Sequence, residues 1–325
     1  MAPAYKTIAV IGFGEAGGIL GAELARQGRT VRTYDILLDD AAARDAMRRK
    51  AAAAGVAAAD SHAAAVAGAD LVISAVTAAS AVAVATTFAR HARPGQVFLD
   101  INSISPEAKR ANARAVEAGG ADYVEAAVMA AVPPKRLKVP MLLGGARAKD
   151  VSAALNAMGF STEAVADRVG VASAIKMCRS VMIKGLEALT VECLMGARRY
   201  GAETDVLASL AGTFPGMGWD KELPNYLISR VAEHGRRRAA EMREVAQTMI
   251  DGGIEPRMAA PTSELHDWFV DALAAAGASW QSDSAFDWRK AVDALLRNAD
   301  AATQVLPRAA GEGREGVGER AARST

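Results

Sequence analysis

Hydrophobic positions along the chain follow two periods, and the change from one to the other divides it. Residues 7–12 (TIAVIG) form a short apolar run rich in β-branched side chains, as a buried parallel strand requires. The pattern then predicts a helix over 16–27, with Gly28 in the place of a C-capping glycine, and a strand over 30–34 that ends at Asp35. An alanine-rich helix over 41–54, a strand over 71–76 and a helix reaching residue 92 come next. Gly95 opens a strand over 97–101, and a helix over 108–118 and strands over 123–128 and 141–144 complete the series. Strands alternating with helices about every 20 to 30 residues predict an α/β Rossmann fold, a doubly wound parallel sheet. From Val169 the strand signal stops. Helical patterns continue to Leu306, broken at 213–216 (TFPG) and at Gly252 and Gly253. The expected organisation is a Rossmann domain over 1–165 and an all-α C-terminal domain over 166–306. The tail, 307–325, is rich in Gly, Ala, Arg and Glu without periodicity, and it is expected to be disordered.

Composition narrows the partners. The chain has 325 residues, enough for two cores, with 38 Lys and Arg against 37 Asp and Glu. So even a balance argues against nucleic acid or a membrane surface as partner. No run reaches the roughly 20 apolar residues of a membrane helix. The first strand begins almost at the N-terminus, which leaves no room for a signal peptide. Two cysteines, Cys178 and Cys193, suggest a reducing compartment. The expectation is a cytoplasmic protein. His62, His91 and His266 stand alone, and no CxxC or HExxH is present, so no metal is expected.

The chemistry begins at Gly12, Phe13, Gly14, Glu15, Ala16 and Gly17. A strand precedes this GxGxxG and a helix follows it. The first glycine permits the tight turn, the second lets backbone approach a pyrophosphate, and the third lets helix and strand pack closely. Asp35 ends the next strand, 18 residues past Gly17, with no Lys or Arg before Arg44. A carboxylate there accepts from ribose hydroxyls and repels an extra phosphate, which predicts NAD rather than NADP. Val76 and Thr77, at the end of the strand over 71–76, complete the expected cofactor contacts.

The opening IAVIGFGEAGGILGAELARQG resembles the β-hydroxyacid dehydrogenase family, which includes the 3-hydroxyisobutyrate and 6-phosphogluconate dehydrogenases. Three further segments follow in the family's order. DINSISP at 100–106 is similar to D-G-S-T-x-S-P, EAAVMAA at 125–131 stands in the place of D-A-P-V-S-G-G, and GVASAIK at 170–176 stands, with Ser180, in the place of G-x-G-x-x-x-K-x-x-x-N. The resemblance covers residues 5–300 and suggests a divergent branch with its own type of helical domain. It implies an NAD-dependent dehydrogenase of a 3-hydroxy acid or close analogue, with or without decarboxylation, and with Lys176 as general acid and base. The residues it implies to meet substrate are Asn102, Ser103, Met129, Arg179, Ser180 and Lys184, and departures from the family pattern set that substrate apart from a standard small one. It also implies a homodimer formed through the helical domain. The departures lie on the substrate side. Asn102 replaces a serine or glycine, Met129, Ala130 and Ala131 replace Ser-Gly-Gly, and Ala240 stands where many members carry a second lysine, for which Arg237 or Arg238 is the candidate replacement.

Residues 171–198 read as one largely apolar helix on which Lys176, Arg179, Ser180, Lys184 and Glu187 return to a narrow arc. A buried polar stripe is costly unless it lines a cleft or pairs internally. A lysine there can serve as base and acid if burial and neighbouring cations lower its pKa. The plainer alternative is that Lys176 snorkels and that Lys184 and Glu187 form an i,i+3 pair. Cys178 is expected in the core. His234, Arg236, Arg237 and Arg238 form a basic cluster, which reads either as an anion site or as a solvated face with Arg237 and Glu241 paired. Two other activities stay open: an imine reductase, and a non-catalytic NAD-binding sensor.

Overall fold

The computed structural model describes residues 5–278 and 286–305. The first strand, β1 (Thr7–Ile11), buries Ile8, Ala9, Val10 and Ile11, because helices cover both faces of a central parallel strand. After it come α1 (Glu15–Arg26), β2 (Thr30–Tyr34), α2 (Arg44–Ala53), β3 (Ala57–Ala58), α3 (His62–Val66), β4 (Leu71–Ser74) and α4 (Ala78–Ala89). Then follow β5 (Val97–Asp100), α5 (Pro106–Ala118), β6 (Asp122–Val128), β7 (Pro140–Gly144), α6 (Ala148–Ala157) and β8 (Ser161–Ala166). The eight strands lie in the order β3-β2-β1-β4-β5-β6-β7-β8. Strand order reverses at β1, so a crevice is expected at the carboxyl ends of β1 and β4. The register keeps those ends level: Ile11 is opposite Ser74, and Ser74 is opposite Asp100.

One pair departs from the parallel sheet that the pattern predicts. β6 and β7 are antiparallel, because residues 129–139 return the chain through a loop with no crossover helix. The pattern also passes over β3, α3, α6 and β8. β8 (STEAVA) is an edge strand with exposed and half-buried side chains, so no apolar run marks it.

Five helices follow: α7 (Val171–Arg199), α8 (Glu203–Thr213), α9 (Leu223–Asp251), α10 (Ala259–Ala275) and α11 (Trp288–Val305). The breaks expected at 213–216 and 252–253 fall between them. By contact the chain forms two compact units, 1–188 with 234–267, and 189–233 with 268–325. The division falls inside helices and not near residue 165. In the first unit, Met177, Met242, Val245 and Ala259 pack as a small core beside the sheet. In the second, Ile228, Val231, Phe269, Trp288 and Val292 are buried, and Arg198 bridges Glu203 and Asp293. The expected tail, 307–325, lies outside the described residues. Among those described, no helix is long and apolar enough to cross a membrane.

Candidate active site

The glycine loop leaves β1 where backbone crowding permits only glycine. Gly12 has φ +88°, and a Cβ there would stand 2.4 Å from the carbonyl oxygen of Ala75. A Cβ on Gly17 would stand 2.0 Å from the carbonyl oxygen of Gly12. Gly14 differs, since a Cβ there would meet nothing within 4 Å. Its backbone is exposed, and no side chain caps the N-terminus of α1. Open space in front of the first amides of a helix fits a pyrophosphate. Glu15 is exposed and Ala16 half-buried beside it. Phe13 enters this site only through its backbone: its ring is fully buried, and its N–H donates to Oδ2 of Asp35 at 2.6 Å. Oδ1 of Asp35 accepts from the N–H of Leu37 at 3.0 Å.

Lys50, on α2, is a part of this loop that the motif does not announce. Its Nζ donates to the carbonyl oxygens of Phe13 and Gly14, at 2.6 and 2.9 Å. The guanidinium of Arg44, an exposed residue, donates to the carbonyls of Leu38 and Asp39.

The loops after β4 and β5 continue the site. Val76 donates its N–H to Oδ1 of Asn102 at 2.7 Å, and Thr77 is exposed at the start of α4. Asn102, expected against substrate, is buried and ties strand ends together, since its Nδ2 donates to Oγ of Ser74 at 2.9 Å. Its N–H donates to Asp100, a fully buried carboxylate that also holds Lys109 at 2.9 Å, Tyr123 at 2.7 Å and Asn112 at 3.1 Å. The next side chain, Ser103, is half-buried, and its Oγ accepts from Nζ of Lys176 at 2.5 Å.

A carboxylate from β6 fixes α7, the helix that carries Lys176. Glu125 is fully buried. Its Oε1 accepts from the N–H groups of Gly170 at 2.6 Å and Ala172 at 3.1 Å, and its Oε2 from the N–H and Oγ of Ser173 at 3.3 and 2.8 Å. An anion at amides with no intrahelical partner is the expected cap. An acidic residue inside an apolar strand was the available sign of this role.

Along α7 the polar stripe faces inward with Met177, Val191 and Leu194, while part of the apolar arc faces out. Ser180, Lys184 and Glu187 are buried and Lys176 half-buried, while Met182 is 74% exposed and Ile175 40%. Cys178 is therefore exposed rather than in the core. Arg179, at the edge of the stripe, is also exposed. The expected pairings change as well. Lys184 donates to Oγ of Ser180 at 3.1 Å and pairs with Glu241 at 3.0 Å, not with Glu187. Glu187 instead takes a two-pronged contact from Arg238, and Arg236 pairs with Asp267. Arg237 forms no ion pair among the described residues, so the expected pair with Glu241 is absent. Met129 is half-buried with its N–H on the carbonyl of Pro140, and no hydrogen bond joins it to the lysine. No cluster among the described residues offers a metal site.

Burial lowers the pKa of Lys176 from its ordinary value to about 8. Glu241 pulls it up against that, and Lys184, Lys109 and Arg237 push it down.

Residues 7–167 match the NAD binding domain of 6-phosphogluconate dehydrogenase, and residues 197–269 match a domain of unknown function, DUF1932. A conserved hypothetical protein from Sinorhizobium meliloti is 39% identical, with a TM-score of 0.74 over 91% of this chain and 98% of that one. The conserved protein MTH1747, of unknown function and described as similar in structure to 3-hydroxyacid dehydrogenases, is 30% identical, with a TM-score of 0.68 over 90% and 99%. The mitochondrial 3-hydroxyisobutyrate dehydrogenase of Drosophila melanogaster is 25% identical over 223 residues, 68% of this chain and 67% of that one. The match to an uncharacterized 28.5 kDa protein of Methanothermus fervidus spans 61% of that protein's length.

Proposed function

Because the chain belongs to the β-hydroxyacid dehydrogenase family and opens with an NAD-binding domain, we propose that it oxidises the hydroxyl of a 3-hydroxy acid or close analogue, with Lys176 as general acid and base. The observation that carries this is one continuous run of contacts. Gly12 lies against Ala75, Val76 is held by Asn102, and Ser103 accepts from Lys176. The run joins the pyrophosphate loop to a lysine of lowered pKa. NAD, when bound, supplies the hydride acceptor. Lys176 in its neutral form takes the hydroxyl proton during oxidation, and in its charged form it returns a proton to the carbonyl oxygen during reduction. A pKa of about 8 keeps both forms populated near neutral pH. Ser103 accepts from the lysine, which leaves its own O–H to donate to the substrate oxygen.

An anionic substrate is supported by Arg237. Arg236 and Arg238 are neutralised by Asp267 and Glu187, whereas Arg237 forms no ion pair among the described residues yet acts electrostatically on Lys176. Arg179, exposed on the same helix, is a second candidate. Where a carboxylate stands β to the new ketone, decarboxylation follows oxidation. The exposed Ile175 and Met182 of α7 support a homodimer through the helices, which light scattering at micromolar concentration checks.

The test is NADH formation across a panel of 3-hydroxy acids, with Lys176→Met as control. Turnover that the variant loses supports the reading. Reduction of cyclic imines with NADPH, or tight NAD binding without turnover on any acid, would replace it with a reductase or a sensor.

A further inference from the structure

We infer that Glu241, anchored by Lys184, is a positioning residue that decides whether Lys176 carries its proton. The inference rests on the reading of Lys176 as acid and base. Lys176, Ser180 and Lys184 occupy successive turns of α7, so both ammonium groups lie on one inward face with a hydroxyl between them. Lys184 binds that hydroxyl at 3.1 Å and Glu241 of α9 at 3.0 Å. Among the described residues, Lys176 binds only the neutral Oγ of Ser103. The face therefore holds two cations and one carboxylate, and the carboxylate is committed to the cation farther from Ser103.

The other charged groups leave this balance in place. Lys109, from α5, acts on Lys176 but is itself paired with the buried Asp100. Arg237, one turn before Glu241 on α9, acts on both Lys176 and Glu241. Glu187 and Arg238 neutralise each other one turn beyond Lys184. His266 of α10, fully buried 3.9 Å from Glu187, has its pKa lowered to about 4 by burial and by Arg238 and Lys184, so it carries no charge across the range in which Lys176 titrates. Burial alone would raise the pKa of Glu241. Lys184, Lys176 and Arg237 outweigh it and hold the carboxyl below its ordinary value, so Glu241 is ionised at neutral pH.

The two partners of the ion pair must then move Lys176 in opposite directions. Glu241→Gln removes the negative charge and leaves Lys184 as an unscreened cation, so Lys176 gives up its proton at lower pH. Lys184→Met removes a cation and frees Glu241, so Lys176 holds its proton to higher pH. Each shift should be about one pH unit. A loss of packing alone has no reason to produce opposite signs.

The measurement that depends least on catalysis is the pH dependence of amine acylation at Lys176, read by peptide mass spectrometry on the full-length protein. The expected midpoint is about 8 in the wild type, lower in Glu241→Gln and higher in Lys184→Met, with Lys184→Arg unmoved because it keeps the charge. Midpoints that move together, or not at all, overturn the inference. The pH profile of kcat in the same variants tests the underlying reading separately. If acylation midpoints shift while the kcat profile stays fixed, Lys176 is not the acid and base, yet Glu241 still governs its charge.

Discussion

At the glycine loop, backbone makes the site. Gly12 and Gly17 are required because a Cβ there would stand 2.4 and 2.0 Å from backbone carbonyl oxygens, and Gly14 opens onto empty space at an uncapped helix end. At Lys176, side chains make it. Ser103 comes from the loop after β5, Lys184 from two turns along α7, Glu241 from α9, and Glu125 reaches from β6 to hold the helix. A site built from backbone needs a few glycines at fixed spacing. A site built from side chains depends on packing between elements far apart in the chain, and it tolerates exchange of partners. The loop at 12–17 keeps the family pattern, while Asn102, Met129 and Ser180 depart from it.

If that contrast is real, the largest effects belong to single side chains at the lysine end. Replacing Lys176 with Ala should lower kcat by about 10²- to 10⁴-fold, the usual contribution of a general acid or base. Binding of NAD, measured by calorimetry, should be unchanged. A kcat within about tenfold of wild type would remove the lysine from the mechanism. Weakened NAD binding instead would mean that the two ends are not separate.

Glu125→Ala should act next most strongly, through structure. It leaves three buried amides and a hydroxyl at the start of α7 without their acceptor. Each hydrogen bond to a charged group is worth about 1.5–3 kcal/mol, and the losses are not additive. The expected cost is about 3 kcal/mol in urea unfolding, with kcat falling because Lys176 rides on the same helix. Glu125→Gln keeps one acceptor and should recover part of both. A variant of wild-type stability would show that α7 is held by its packing alone.

Gly14→Ala carries the contrast to the other end. Its Cβ meets no protein atom, so stability should stay within about 0.5 kcal/mol of wild type. The methyl group points where ligand would approach, so the Kd for NAD should weaken about tenfold, or 1.4 kcal/mol. Gly17→Ala should do the reverse and destabilise the fold itself. Unchanged NAD affinity in Gly14→Ala would place the pyrophosphate elsewhere.

The same contrast explains what the sequence made legible. The strands β1, β4 and β5 are short apolar runs with glycine or aspartate close by, and β2 (TVRTY) is a β-branched run that ends before Asp35, so their positions and the Rossmann order follow from local pattern. β8 lacks an apolar run, and the antiparallel direction of β7 depends on the path of the loop over 129–139, which no periodicity records. On α7 the periodicity identified the polar stripe but not the side that faces inward. Periodicity points apolar residues to the core, yet Cys178 lies on the exposed side of the helix. Ion pairs were assigned to neighbours in sequence, since i,i+3 and i,i+4 contacts are the ones a sequence displays. The pairs formed, Lys184 with Glu241 and Glu187 with Arg238, span 57 and 51 residues and needed the packing of α9.

The smallest expected effect tests Asp35, where backbone and charge meet in one residue. Its two oxygens accept from the N–H groups of Phe13 and Leu37, so it shapes the glycine loop in addition to the ribose contact proposed for it. Its negative charge disfavours a 2′-phosphate, and the Nε and Nη2 of Arg44 are engaged by the carbonyls of Leu38 and Asp39. The wild type should therefore use NADH in strong preference to NADPH. Asp35→Asn removes the charge and keeps one side-chain acceptor. Discrimination between the cofactors, as a ratio of kcat/KM values, should narrow by about tenfold, while the KM for NADH rises only a few-fold from the loosened loop. Should the ratio hold while the KM rises, Asp35 would be a backbone brace and the preference would come from steric exclusion. Should the ratio collapse with no change in KM, the hydrogen bond to Phe13 would be dispensable, and the glycine loop would depend on Lys50 and its own glycines for its shape.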